Sequence, residues 1–152
     1  MRNLLKECKI TSMTTASTAG TTTFYSTDQS ATLGVLDMQG FESIAFLAAC
    51  DFASGAVCKF NLRHGDSSGT LADCNLTTGY AGSTGTTAAA NGQLVLLDVY
   101  RPAKRFVGYG CVRGTAATTL DSMVALQYNG LWAPVATTGM LKSAQIQTPS
   151  SS

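Results

Sequence analysis

Hydrophobic and polar side chains alternate along several short stretches of this chain. In Val57–His64 the side chains of Cys58, Phe60, Leu62 and His64 fall on one face, while the other face is mostly polar. A period of two is the repeat of a half-buried strand, whereas an amphipathic helix repeats about every 3.6 residues. The pattern predicts a β-strand with one face in the core and the other in solvent.

The segment Leu94–Gly114 has the strongest pattern, because two apolar runs flank a basic connection. The first run predicts a strand over Leu94–Tyr100, and the second predicts a strand over Arg105–Arg113 that pairs with it. Pro102 has no N–H and favours extended backbone in the residue before it, so a sheet cannot continue through this point. We therefore expect the connection to lie at the end or edge of a sheet and to carry its charges outward.

Four further segments are rich in β-branched and aromatic residues or alternate in polarity, and each predicts a strand: Thr21–Ser26, Ala31–Leu36, Phe41–Ala49 and Leu120–Tyr128. With about seven short strands, Gly-rich turns and no convincing amphipathic helix, the chain has the pattern of an all-β protein. The sequence therefore predicts a single-domain antiparallel β-sandwich or a barrel-like fold.

The last predicted strand ends at a strong turn signal. Asn129-Gly130 is a typical two-residue hairpin turn, which would lead into the apolar residues Leu131–Ala133. Within Leu120–Tyr128, strict alternation is expected to place Leu120 and Val124 on the same face, together with Leu126 and Tyr128.

The remaining segments are polar and rich in Thr, Gly and Ser. Residues 1–18 are predicted to form an N-terminal arm, residues 19–136 the β domain and residues 137–152 a C-terminal tail, both ends being flexible. Within the domain, residues 75–92 are expected to form a long surface excursion and Gly65–Asp73 a loop.

Charge is scarce in this chain. It has 152 residues, the size of one domain, with a net charge of +1, and only 12% of its residues are charged. A net charge this small argues against a general nucleic-acid binder. A weakly charged surface favours a protein that packs against other proteins, although a soluble β domain with a Thr-rich surface has the same composition.

The five cysteines have no metal-site spacing. Their number is odd, no C-x-x-C pair occurs, and the chain has only one histidine, so we expect no metal and no cofactor. The N-terminal residues lack the apolar run of a secretory signal, and no stretch is apolar enough to cross a membrane. We therefore expect a reducing compartment, free thiols and no membrane partner.

One segment resembles a catalytic motif. Gly65-Asp66-Ser67-Ser68-Gly69 fits the G-x-S-x-G pattern of serine hydrolases. The only histidine, His64, lies three residues before Ser67, and no amphipathic helix follows the motif, so the partners of such a nucleophile are missing. We interpret the segment as a turn that closes a hairpin and predict that the protein is not an enzyme.

The basic cluster, defined as Arg101, Lys104 and Arg105, is the best candidate functional feature, and Arg113 is a fourth candidate partner-binding residue. It would suit docking on an acidic protein surface, whereas nucleic-acid binding would need a larger excess of charge. Alternatively, its arginines form ion pairs with Asp98 or Asp121 in a solvated turn. Trp132 is the candidate for an apolar partner contact.

Four segments, in the same order within residues 20–130, resemble small structural proteins encoded beside the major capsid gene of tailed bacteriophages: Asp37–Ile44, His64–Ser67, Asp98–Val107 and Ala125–Tyr128. The resemblance implies a minor capsid, head-decoration or cement protein with a jelly-roll-like domain and no catalytic residues. Its expected partners are the major capsid protein and further copies of itself, most readily as a trimer. It would lie on the capsid exterior of the virion, and in the host cytoplasm during assembly.

Two other functions fit the sequence. A phage tail or neck structural protein would have the same low charge and lack of catalytic motifs. A carbohydrate-binding β-sandwich on the virion would need aromatic side chains around a groove, whereas Tyr25, Tyr80 and Trp132 are scattered along the sequence.

Overall fold

The computed structural model describes residues 8–14, 18–29, 34–74, 80–85, 90–129 and 142–147. These residues form a one-turn helix, α1 (Ser26–Gln29), and eleven strands: β1 (Cys8–Thr14), β2 (Phe24–Tyr25), β3 (Leu36–Asp37), β4 (Ser43–Phe52), β5 (Val57–Ser67), β6 (Thr70–Asp73), β7 (Tyr80–Gly85), β8 (Ala90–Tyr100), β9 (Phe106–Gly114), β10 (Thr118–Tyr128) and β11 (Lys142–Gln147).

The strands form two sheets. Sheet A has the order β1-β10-β4-β8-β11, and all its pairs are antiparallel except β11, which runs parallel to β8. In sheet B the long strands β9 and β5 pair at the centre. The short strands β2 and β3 share the free side of β9, and β6 and β7 share the free side of β5.

The pairing is nested along the chain. Strand β1 pairs with β10, β2 and β3 pair with β9, β4 pairs with β8, and β5 pairs with β6 and β7. A chain folded in half at the β5–β6 turn and wound into two sheets gives this arrangement, which is the strand order of a jelly roll. Strand β11 is an addition beyond it. The predicted all-β sandwich is therefore confirmed.

The core lies between the two sheets and is built by alternate residues of the long strands. Strand β4 contributes five such side chains: Ile44, Phe46, Ala48, Cys50 and Phe52. In sheet B, Tyr109 is fully buried, and its ring centroid lies 6.0 Å from that of Phe46 and 6.3 Å from that of Phe60. Burial of large aromatic side chains contributes roughly 1.5–3 kcal/mol each, so contacts across the two sheets hold them together.

Where the structure describes the predicted arm, excursion and tail, each of these segments contains a strand. Cys8–Thr14 is the edge strand β1, Tyr80–Gly85 pairs with β5, and Lys142–Gln147 pairs with β8. All three are short strands on the outer side of a longer strand. Each is held to that longer strand by backbone hydrogen bonds, which form without alternating apolar side chains.

The two strands predicted as a pair are in fact in different sheets. Strand β8 belongs to sheet A and β9 to sheet B, and residues 101–105 pass from one sheet to the other at the end of the sandwich. Pro102 does stop the sheet, as expected. The chain then changes layer, as it also does between β4 and β5 and between β9 and β10.

A register shift changes the faces of β10. Between Leu120 and Ser122 the pairing with β4 moves by one residue. Leu120 and Met123 therefore both point into the core, whereas Val124 points outward together with Leu126 and Tyr128. A bulge reverses the parity of every residue after it, so the prediction that placed Leu120 on the face of Val124 was wrong.

The predicted loop Gly65–Asp73 is a tight hairpin between β5 and β6. The turn lies at Ser68 and Gly69, and the Gly69 N–H donates to Ser67 Oγ at 3.3 Å. A Cβ on Gly65 would clash with the carbonyl oxygen of Thr70, so the approach of the two strands requires glycine. The interpretation of this segment as a turn that closes a hairpin is confirmed.

Candidate functional site

An open groove of about 520 Å³ lies at one end of the sandwich. We call it the end groove; it is formed by the connection between β3 and β4 and by the connection between β8 and β9. Its apolar lining is Met38, Phe41, Pro102 and Ala103, and its polar lining is Gln39, Glu42, Arg101, Lys104 and Arg105. The structure thus brings the whole predicted basic cluster to one site.

Backbone hydrogen bonds tie the two connections of the end groove to each other. The Arg101 N–H donates to the Glu42 carbonyl at 2.8 Å, and the Met38 N–H donates to the Arg105 carbonyl at 2.8 Å. From below, the fully buried Gln127 amide donates to the Asp37 carbonyl at 2.7 Å. The walls of the groove are therefore fixed by the fold and do not need a partner to order them.

Each cation of the basic cluster has a carboxylate partner. The Arg105 guanidinium contacts both Asp37 oxygens, at 2.9 Å and 2.8 Å, and Lys104 Nζ lies 2.8 Å from Asp66 Oδ2. Arg101 Nη2 lies 3.8 Å from Glu42 Oε1, a longer contact. Ion pairing was expected, but the partners are not the predicted ones.

The two acids named as partners by the sequence lie elsewhere. Asp98 accepts a hydrogen bond from the Tyr128 hydroxyl, and burial, followed by this contact, raises the pKa of Tyr128. Asp121 lies beside Asp51, and burial followed by that neighbouring carboxylate raises the pKa of Asp121. Neither acid lines the end groove.

The Arg105–Asp37 pair has a predictable pH dependence. The hydrogen bonds from Arg105 and from the Gln39 N–H lower the pKa of Asp37 from 3.8 to about 2. A lowered pKa in the folded state stabilises the protein above the unfolded-state pKa, and this contribution is lost as the pH falls through the folded-state value. We expect the stability difference between the wild type and Asp37→Asn to shrink as the pH falls from 3.8 to about 2. Urea unfolding across that range checks this, and Arg105→Gln should return the Asp37 pKa, followed by NMR, toward 3.8.

Arg113 is not part of the end groove. It lies eight residues after Arg105 along β9, roughly 26 Å away. Its guanidinium donates to three backbone carbonyls, those of Thr18, Thr22 and Thr118, at 2.9, 2.8 and 2.9 Å. These contacts hold residues 18–22 against the other end of the sandwich, so Arg113 has a structural role there. Trp132 lies outside the described residues.

His64 lies at the end of β5, close to the charges of the basic cluster. It is half-buried, and burial followed by the nearby Lys104 lowers its pKa, while Asp66 opposes the shift. His64 is therefore a half-buried residue of the predicted strand, with Asp66 nearby.

Three of the five cysteines lie in the core: Cys50, Cys58 and Cys111. Cys58 Sγ and Cys111 Sγ are 3.4 Å apart. However, Cys58 is paired with Arg113 and Cys111 with Phe60, so the two cysteines are diagonal neighbours on adjacent strands. Diagonal Cα atoms lie about 7–8 Å apart, beyond the usual span of a disulfide. Burial raises the pKa of Cys50, and contact with Cys58 followed by burial raises that of Cys111.

We expect all five thiols to stay reduced and the three core thiols to be unreactive in the native protein, because little thiolate forms and reagents cannot enter the core. Thiol titration under non-reducing conditions checks this with and without denaturant. Finding fewer than five thiols in the denatured protein would show that a disulfide had formed.

An apolar patch lies on the outer face of sheet A. Cross-strand pairing places six side chains side by side on this face: Ile10, Leu47, Leu94, Leu96, Val124 and Leu126. Ile10 is 46% exposed and Leu94 36% exposed. We call these six residues the outer patch. The sequence did not predict it, because strict alternation without the β10 bulge placed Val124 and Leu126 on the same face as Leu120, which is buried in the core.

Comparison with known protein families and with curated proteins finds no match for this chain. Within the described residues, no group of three or more His, Cys, Asp or Glu side chains is placed to hold a metal ion. The described part of the chain also contains no helix with the length and hydropathy of a membrane span.

Proposed function

We propose that this protein is a structural component of a bacteriophage virion that binds the outside of the capsid and stabilises it by bridging adjacent major capsid subunits. The observation that carries the proposal is the nested jelly-roll strand order, an architecture that recurs in viral capsid proteins. The order of the motifs that resemble head-decoration proteins supports it. In this proposal the protein is not an enzyme.

The end groove is the docking surface in this proposal. It combines an apolar floor with three cations whose side chains are 63%, 37% and 53% exposed for Arg101, Lys104 and Arg105. A partner can bury the floor while its acidic residues approach the cations. Bridging then raises the free energy needed to separate neighbouring capsid subunits, because the buried area is spread over both of them.

Capsid binding can be tested directly. Capsids of the encoding phage, stripped of this protein, are mixed with the purified chain, and occupancy is measured by cosedimentation and by electron microscopy of labelled particles. We expect saturable binding on the head. Label on the tail or neck would support the alternative structural role, and binding to purified glycans but not to capsids would favour the carbohydrate-binding function that other jelly rolls have.

We also propose that the chain associates with itself, most readily as a trimer, through the outer patch. The middle of this face carries no charge, and the Asp98 carboxylate at its margin already accepts the Tyr128 hydroxyl. A neighbouring copy can therefore pack on the middle of this face, in a head-to-tail contact that closes into a trimer, without leaving Asp98 unpaired.

The oligomeric state gives a prediction. Sedimentation equilibrium at micromolar concentration should give the mass of a trimer, and Ile10→Thr with Leu94→Thr should shift the protein toward the monomer because both large exposed apolar side chains are shortened. A monomeric wild type contradicts the proposed self-association. If the folded double variant is still a trimer, the trimer contact lies outside the outer patch.

A further inference from the structure

Arg101 has an unusual backbone conformation. Its φ is 49°, in the left-handed region that non-glycine residues rarely adopt. It also precedes Pro102, and a residue before proline normally prefers extended backbone. Glycine would adopt this φ without strain. Strained residues of this kind cluster at ligand-binding sites, where the side chain is needed in that position.

The ion pair of Arg101 is the loosest of the basic cluster. Its contact to Glu42 is 3.8 Å, whereas the Lys104–Asp66 and Arg105–Asp37 pairs are each 2.8 Å. Its side chain is also the most exposed of the three, at 63%. Among these three ion pairs, the Arg101–Glu42 contact is therefore the one that a ligand carboxylate replaces most easily.

The charges around the end groove limit the ligand. Asp37, Glu42 and Asp66 each lie beside one cation, so the local charge is close to balanced. A polyanion would gain little there and would meet three carboxylates. A single carboxylate next to an apolar side chain fits better, because the lining of the groove that contains Arg101 also includes Met38, Phe41 and Pro102.

We propose that Arg101 is the anchor for one carboxylate of an acidic peptide segment, whose neighbouring apolar side chain lies on the floor of the end groove. This inference rests on the proposed function, since it names the chemistry of the capsid segment that docks there. In this arrangement the strained backbone at Arg101 holds the guanidinium over the groove for the incoming carboxylate.

The probe is a pair of short capped peptides, N-acetyl-Leu-Glu-Leu amide and its Gln counterpart. Each is titrated into the ¹⁵N-labelled protein to millimolar concentration, where weak binding is measurable by NMR. We expect the Glu peptide to shift the backbone amides of Phe41, Glu42 and Arg101. We expect the Gln peptide to bind at least tenfold more weakly, and added salt to weaken only the Glu peptide.

Three variants separate the side chain of Arg101 from its backbone. Arg101→Gln removes the charge and keeps the strain, so binding of the Glu peptide should fall about tenfold without a rise in Tm. Arg101→Gly should lose binding equally while its Tm stays level or rises, because glycine relieves the strain. Thr115 also has a positive φ, 65°, at the opposite end of β9, and Thr115→Gly is the matched control that should raise Tm and leave binding unchanged.

Equal binding of the two peptides, no shift of the groove amides, or full binding by Arg101→Gln overturns the inference. A clear fall in Tm for Arg101→Gly would show that the residue serves the fold instead. These outcomes are distinct from failure of the proposed function: a groove that binds the Glu peptide on a protein that does not bind capsids refutes only capsid docking.

Discussion

Replacing Gly108 by alanine should destabilise this protein by about 3 kcal/mol and lower its Tm by roughly 6–12 °C. Gly108 lies in the middle of β9, is buried, and points away from the core toward the outer side of sheet B. A Cβ there would clash with Ser26 Oγ and would lie 2.9 Å from both the Gly34 carbonyl oxygen and Leu71 Cδ1. The Gly34 oxygen belongs to the backbone and Ser26 is fully buried, so neither can move without a large loss of stability.

The cost also includes a buried hydrogen bond. Ser26 Oγ accepts the Tyr109 N–H at 3.2 Å, and Ser26 is fully buried. Displacing Ser26 leaves this N–H without its acceptor, which costs about 1–3 kcal/mol. The overpacking itself costs a similar amount. We therefore expect α1 and Gly34 to separate from sheet B before the rest of the fold is lost.

Gly114→Ala is the matched control, because it makes the same chemical change at the end of the same strand. No atom lies within 4 Å of a Cβ built on Gly114, and its φ is not in the left-handed region. This variant should be neutral or slightly stabilising. Thermal and urea unfolding compare the two variants with the wild type. If the two substitutions lower the Tm equally, the close packing around Gly108 is not the cause of the destabilisation.

The sequence predicted the strands that have one apolar face. Strand β5 alternates cleanly, and Cys58, Phe60 and Leu62 are buried as expected. The edge strands β1, β7 and β11 were missed, because an edge strand can form through backbone hydrogen bonds alone. The β10 bulge was missed as well, because one extra residue in a strand leaves no mark in composition and yet reverses the faces that follow.

The candidate site was predicted in part. Proximity in sequence placed Arg101, Lys104 and Arg105 together, and Pro102 indicated a connection at the end of a sheet. Their carboxylate partners could not be predicted, since Asp37 is 68 residues from Arg105 and Asp66 is 38 residues from Lys104. Arg113 was grouped with them because it follows on the same strand, but strand length separates it from the groove.

If the end groove docks on the capsid, reversing its charge should weaken attachment far more than it affects the fold. Arg101→Glu replaces an attraction with a repulsion at the contact, and we expect about tenfold weaker binding. Adding Lys104→Glu should weaken binding roughly a hundredfold, since mispaired charges at a desolvated contact cost several kcal/mol. Arg105 is left unchanged because its guanidinium binds both Asp37 oxygens and Gln39 Oε1, so its reversal would break three hydrogen bonds and disturb the groove itself.

Lys59→Glu is the control for a change in net charge. Lys59 lies on β5, in the middle of sheet B, and its substitution alters the net charge as much as Arg101→Glu does. Occupancy of stripped capsids and the temperature at which these capsids lose their DNA are measured for each variant. Lys59→Glu should match the wild type in both measurements. Equal loss in Lys59→Glu and Arg101→Glu would assign the effect to long-range charge, and unchanged occupancy in the folded double variant would remove the end groove from the capsid interface.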